Sequence, residues 1–195
     1  MAGALEGRRI AFLVANEGVE QAELTESWKA VEGAGGAPEL IATEMGEVQA
    51  FRHLDRADRF TVDRSTADAE AERYDGLVLP GGVANADTIR TDRDAVRFVG
   101  EVIDARLPIA VICHGPWILT EVDALHGRTL TSWPSLQTDL RNAGAHWVDE
   151  EVHVEPGLVS SRKPDDLPAF CSALVEEFRV GPRPSRPEAG SPLAV

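Results

Sequence analysis

This sequence predicts an α/β fold with a mostly parallel sheet covered by helices on both faces. Three observations predict it. Nearly continuous apolar runs, RIAFLVA at 9–15, GLVL at Gly76–Leu79 and PIAVI at 108–112, have the makeup of strands buried on both faces. Stretches with apolar residues at helical spacing alternate with them. Each run also stops at an abrupt corner: Ala15-Asn16, Pro80-Gly81-Gly82 and Cys113-His114-Gly115-Pro116. Ligands of such sheets bind beyond the carboxyl ends of the strands.

The elements follow in order. The first run is a strand, and 16–19 reads as a loop. Residues 20–35 read as a helix striped by Leu24, Trp28 and Val31 and stopped by Gly33, Gly35 and Gly36. Residues 39–43 form a second strand. The alternation in Val48-Gln49-Ala50-Phe51 and Phe60-Thr61-Val62 reads as a surface hairpin over 47–64. After the strand at Gly76–Leu79, residues 83–87 read as loop. A helix at 94–105 carries Val96, Val99, Val102 and Ile103. The strand at 108–112 leads into Cys113, and a helix-like run starts at Gly115. Short strands are expected near 128–131, 146–148 and 158–160, with a helix at 136–143. A last helix spans 165–178. One domain at 9–180 therefore stands between a short N-terminal extension (1–8) and a Pro/Gly-rich tail (181–195), read as disordered or as an arm.

Composition narrows the function classes. The 195 residues suffice for one domain with a substantial core, and 43% hydrophobic and 27% charged residues fit a soluble globular protein. A net charge of −14 argues against nucleic acid and anionic membranes as partners. No apolar run is long enough to span a bilayer, and the N-terminus lacks a secretory pattern, so a cytoplasmic location is the default expectation. Two cysteines exclude a disulfide scaffold. No spacing suggests a metal site.

Cys113 is the candidate nucleophile. A reactive side chain at a strand-to-helix corner sits on a sharp turn at the sheet's carboxyl edge, and the following helix N-terminus is expected to lower its pKa. Cys171 repeats with Leu167, Phe170, Leu174 and Phe178 at helical spacing, which assigns it to packing. His114 directly follows the nucleophile. Adjacent side chains on a turn usually diverge, so it is either the base or a pocket-lining group. The other histidines, His53, His126, His146 and His153, fall away from strand carboxyl ends in this reading. Gly81-Gly82 allows close backbone approach, and the Gly82 and His114 amides suit an oxyanion hole. Glu17, Glu20, Glu23 and Glu26 recur every third residue as a solvated helix face. One of them beside Cys113 would have a raised pKa and relay a proton, and spacing does not choose which. Trp117 and Trp133 read as core, with pocket lining as the alternative.

These motifs together resemble the ThiJ/PfpI superfamily, most closely its PfpI-type intracellular protease branch. The resemblance rests on Ala15-Asn16-Glu17, Glu20-x-x-Glu23-Leu24, Leu79-Pro80-Gly81-Gly82, Ile112-Cys113-His114-Gly115-Pro116, Thr131-Ser132-Trp133-Pro134, residues 142–149 and Val159-Ser160-Ser161-Arg162. It implies a flavodoxin-like three-layer sandwich that needs no cofactor and forms a homo-oligomer, at least a dimer. It implies Cys113 as nucleophile, His114 as partner, Glu23 as the protonated carboxyl on the sulfur, and Gly82 and His114 as oxyanion amides. In protease-type members a further acid comes from a neighbouring subunit. Asp87 is the nearest counterpart here, a shorter acid in a segment of different length.

Three functions fit. The first is an enzyme acting on reactive carbonyls such as methylglyoxal, or on aldehyde adducts, through a Cys113 hemithioacetal. The second is a cysteine peptidase. The third is a redox sensor or protective stress protein whose thiol oxidises to sulfinate.

Overall fold

A computed structural model describes residues 3–182, so residues 183–195 of the expected tail lie outside the described residues. The chain runs β1 (Arg9–Val14), β2 (Glu17–Glu20), α1 (Gln21–Gly33), β3 (Ala37–Ala42), β4 (Glu47–Arg52), β5 (Asp55–Thr61), β6 (Arg64–Ser65) and β7 (Gly76–Leu79). Then come α2 (Val83–Thr91), α3 (Arg93–Asp104), β8 (Ile109–Ile112), β9 (Thr129–Leu130), α4 (Gln137–Asn142), β10 (His146–Trp147), β11 (Val152–Glu155), β12 (Leu158–Ser161) and α5 (Leu167–Val180).

Among the described residues, seven strands form the central sheet in the order β11-β12-β8-β7-β1-β3-β6. Only β11 is antiparallel to its neighbour. The other pairings are parallel. This is the flavodoxin-like three-layer sandwich, and the period-2 geometry of the strands explains it. In β1, Ile10, Phe12 and Val14 face a core shared with Leu24 and Val31 of α1 and Phe170, Leu174 and Phe178 of α5. Ala11 and Leu13 face the opposite core, shared with Ile89 of α2, Phe98 and Val102 of α3 and Leu140 of α4. Phe12, Phe98, Phe170 and Phe178 are fully buried, and each contributes roughly 1.5–3 kcal/mol by leaving water.

Several local expectations are corrected. Residues 17–19, read as loop, and Glu20, read as the start of the helix, form β2, which pairs with β4. The expected hairpin is β4–β5, and it completes a separate three-stranded sheet with β2. Residues 83–87, read as loop, belong to α2 (Val83–Thr91). Its single turn of buried positions, Asn85, Ala86 and Ile89, is too short for periodicity to reveal. The run after Cys113 is a 3-10 helix at Gly115–Thr120, not an α-helix. The N-terminal extension packs onto the domain. Leu5 is buried and its amide donates to Ala34 O (2.8 Å), while Arg8 pairs with Asp75 (2.9 Å).

Candidate active site

Strand β8 delivers Cys113 to the carboxyl edge of the sheet, beside the Gly81-Gly82 corner that follows β7. Cys113 has φ +59°, a left-handed conformation that costs a non-glycine residue on the order of 1–2 kcal/mol. The surroundings hold it there. Its amide donates to Ser161 O at the end of β12 (3.1 Å), and its carbonyl accepts from the Trp133 amide (2.9 Å). Two residues on, a Cβ at Gly115 would overlap the carbonyl of Leu79, so this corner closes only with glycine.

Helix α1 brings Glu23 to the same point. Of the four regularly spaced glutamates, Glu17 pairs with Arg56 and Glu26 with Lys29 at the surface. Glu20 lies at the cavity, where Oε2 accepts from the His53 amide (3.0 Å). Glu23 alone is fully buried. Its Oε2 accepts from the Gly81 amide (2.6 Å), and its Oε1 has no hydrogen-bond partner of ordinary geometry. Burial pushes its pKa up from 4.5 to about 8, so the carboxyl keeps its proton at neutral pH. A Cβ on Gly81 would lie 2.6 Å from both Cys113 Cβ and Glu23 Oε2, which shows how tightly the three residues converge.

The lowered thiol pKa expected from sequence is corrected. Burial pushes the Cys113 thiol above its ordinary value, and the Glu23 charge pushes it further. The helix expected to offset this is a six-residue 3-10 turn with little dipole to offer. The Gly82 and His114 amides, expected to form an oxyanion hole, donate toward the sulfur and act in the opposite direction. When Glu23 holds its proton, its charge no longer acts on the thiol.

His114 does converge on the nucleophile. Its Nδ1 lies 3.2 Å from Cys113 Sγ, and its Nε2 lies 3.1 Å from Ser135 Oγ. Burial lowers its pKa, which favours the neutral ring. In the tautomer with its proton on Nε2, the ring donates to Ser135 Oγ and leaves Nδ1 free to accept the thiol proton. Trp133 stacks on the imidazole (centroids 5.9 Å apart, 26° between planes) and fixes its plane.

These groups open into a cavity of about 530 Å³. Glu23, Gly82, Cys113 and His114 line it, and so do Trp117 and Trp133, for which pocket lining was the alternative to core packing. Trp117 is also covered by the Arg90 guanidinium, 4.5 Å from the ring centroid. Gly81 is buried immediately behind the lining. Asp87 does not line the cavity of its own chain; it is exposed on α2.

Three contributions went unseen in the sequence. Ser135 follows the quoted Trp133-Pro134 by one residue, and a hydroxyl there was the available signal. His53, set aside as remote from strand ends, follows β4 directly with φ +57° and lines the cavity with Leu54 at the hairpin tip. Asn85 is fully buried: its Oδ1 accepts from the Ala15 amide (2.7 Å), and its Nδ2 donates to Pro80 O (3.1 Å) and Gly81 O (3.0 Å). It ties the end of β1 to the Gly-Gly corner.

Comparison with known proteins shows the family and the fold. Putative cysteine protease YraA of Bacillus subtilis is 36% identical over 163 residues, covering 84% of this chain and 94% of that protein. Uncharacterized protein SH1084 of Staphylococcus haemolyticus is 38% identical over 175 residues, 89% of this chain and 99% of that one. Among solved structures, an Anabaena variabilis protein with DJ-1/ThiJ/PfpI-like and ferritin-like domains matches with TM-score 0.81 and 30% identity. That match covers 88% of this chain and 48% of the two-domain chain. Drosophila melanogaster DJ-1beta shares the fold (TM-score 0.79, 24% identity, 88% and 90% coverage). The DJ-1/PfpI family matches residues 8–177, nearly the whole described chain, and this protein belongs to that family.

Proposed function

We propose that this protein is a cofactor-independent cysteine enzyme acting on reactive carbonyls such as methylglyoxal. One observation carries the reading. The Cys113 sulfur lies between a neutral imidazole that can accept its proton and a carboxyl that keeps its own at neutral pH. Two titratable groups with opposed pKa shifts supply a base and an acid at the same pH.

The steps balance without redox change. The thiol proton passes to His114 Nδ1 as Sγ adds to the aldehyde carbon. The carbonyl oxygen takes the Glu23 proton, giving a hemithioacetal. The Glu23 carboxylate takes the proton from the former aldehyde carbon and passes it to the neighbouring ketone oxygen, giving an enediol. It then takes the hydroxyl proton on the sulfur-bearing carbon and passes it to the neighbouring carbon, leaving a thioester of the same composition. Water adds to the thioester and gives a proton to Glu23. The carbon–sulfur bond breaks, Sγ recovers its proton from His114, and lactate leaves. The Gly82 and His114 amides, already directed at the sulfur, lie close to where the oxyanion develops.

A homo-oligomer belongs to the same reading. Asp87, exposed on α2, would serve only a neighbouring copy's site. Peptidase activity is the second reading, favoured by the Cys113–His114 contact and by the relative named as a cysteine protease. The parallel assay is methylglyoxal consumption and peptide turnover by the wild type, Cys113→Ala and Glu23→Gln. Methylglyoxal loss without peptide cleavage is expected. Cysteine-dependent peptide cleavage without methylglyoxal loss would reverse the order of the two readings.

A further inference from the structure

Among the described residues, the cavity over Cys113 is lined by Glu20, Glu23 and Asp139 and by no lysine or arginine. The acids come from three elements: the end of β2, α1 and α4. Asp139 is exposed, and its carboxyl makes none of the ion pairs found among the described residues. The Glu20 charge is felt at Glu23, on the cavity floor. The floor also holds the fully buried Glu23 Oε1, which faces Cys113 and has no hydrogen-bond partner of ordinary geometry among the described residues. Trp133 is 38% exposed at the mouth, with an indole available to a cation. The whole chain carries −14.

We infer that this site selects carbonyl compounds bearing an amine, guanidine or quaternary ammonium group and rejects carboxylate-bearing ones, with Glu20 and Asp139 as the specificity-determining residues. The inference deepens the proposed function and rests on Cys113 as its nucleophile. Two carboxylates at the rim, with the indole between solvent and nucleophile, attract a cationic tail. They place its carbonyl toward Sγ and the protonated Glu23. An anionic substrate meets the same charges as repulsion; the guanidinium over the lining Trp117, that of Arg90, is already paired with Glu121.

Charge-matched thiol reagents read this without any turnover. In a Cys171→Ser background, Cys113 is treated with trimethylammonioethyl methanethiosulfonate or sulfonatoethyl methanethiosulfonate. In both, the thiolate attacks the thiosulfonate sulfur, a mixed disulfide forms and methanesulfinate leaves. The cation-to-anion rate ratio, divided by that of mercaptoethanol, is expected to exceed unity about tenfold. It is expected to fall with added salt, and to fall severalfold in Glu20→Gln and in Asp139→Asn. The salt series in the wild type keeps the test intact if either variant folds poorly. Trimethylammonioacetaldehyde is expected to protect Cys113 from labelling better than neutral dimethylbutanal, and succinate semialdehyde least. A ratio equal to that of mercaptoethanol, or one unmoved by salt and by both substitutions, overturns the charge selection and leaves the nucleophile standing. Failure of Cys113 to react with either reagent overturns the nucleophile reading itself.

Discussion

His114 Nδ1 stands 3.2 Å from Cys113 Sγ, a contact made by two consecutive residues. Backbone conformation explains it. Cys113 is left-handed at φ +59°, and His114 returns to the right-handed region at φ −88°, ψ −7°. Such a reversal turns successive amides toward one point, and here it accompanies convergence of the side chains as well. Ser135 Oγ then extends the contact into a Cys113–His114–Ser135 chain.

Removing the base therefore has a larger effect than removing its support. His114→Ala is expected to lower kcat/KM for methylglyoxal about a hundredfold or more. Ser135→Ala is expected to lose roughly tenfold and to shift the pH profile, because the unanchored ring no longer favours one tautomer. Ser135→Thr retains the hydroxyl and is expected to restore most of the rate. A pH profile unchanged in Ser135→Ala would show that the hydroxyl does not tune the imidazole.

Glu23 makes activity and stability depend on pH in a stated direction. Its carboxyl titrates near 8 in the folded protein and near 4.5 when unfolded. The folded state therefore binds this proton more tightly. The associated stabilisation is complete below about 4.5 and is lost as pH rises to about 8, a span worth about 5 kcal/mol as an upper figure. Glu23→Gln lacks this proton, so its melting temperature relative to wild type is expected to climb across that window. Wild-type activity is expected to fall above about 8 as Glu23 ionises. A melting-temperature difference constant across the window would contradict the assignment.

Strain at the elbow is measurable in two inactive proteins. Cys113→Gly and Cys113→Ala both lack the sulfur, but only glycine adopts φ +59° without penalty. The glycine variant is expected to be more stable by about 1 kcal/mol in chemical denaturation. An alanine variant that is the more stable of the two would remove the strain argument.

The Asn85 clamp links fold to site. Asn85→Ala removes the buried side-chain partner of the Ala15 amide and the Pro80 carbonyl, and leaves the Gly81 carbonyl to its contact with the Glu20 amide (3.3 Å). The expected cost is roughly 2–4 kcal/mol, with a loss of activity as Gly81 and Gly82 loosen. Full stability in this variant would mean that the corner holds itself.

Much of this was legible in the sequence because each signal was local. The buried strands β1, β7 and β8 announce themselves as apolar runs, and the corner at Cys113 by its sharp composition change. Glu23 was not separable from Glu20 by spacing, since three residues along a helix leave both on nearly the same face. Burial separated them: α1 packs Glu23 against Gly81, while Glu20 stays at the rim. Ser135 and His53 reach the cavity from segments distant in sequence; only the hydroxyl beside Trp133-Pro134 hinted at Ser135, and nothing in its neighbours marks His53. The thiol's raised pKa depends on desolvation and on Glu23, which only the packed structure reveals.

The central claim is that Cys113 forms a covalent adduct with a carbonyl and returns lactate. Its most direct test follows methylglyoxal by proton NMR with wild type and Cys113→Ala at matched concentration. The account predicts stoichiometric lactate from the wild type and none above the uncatalysed rate from the variant. Lactate formed equally by both proteins would contradict it.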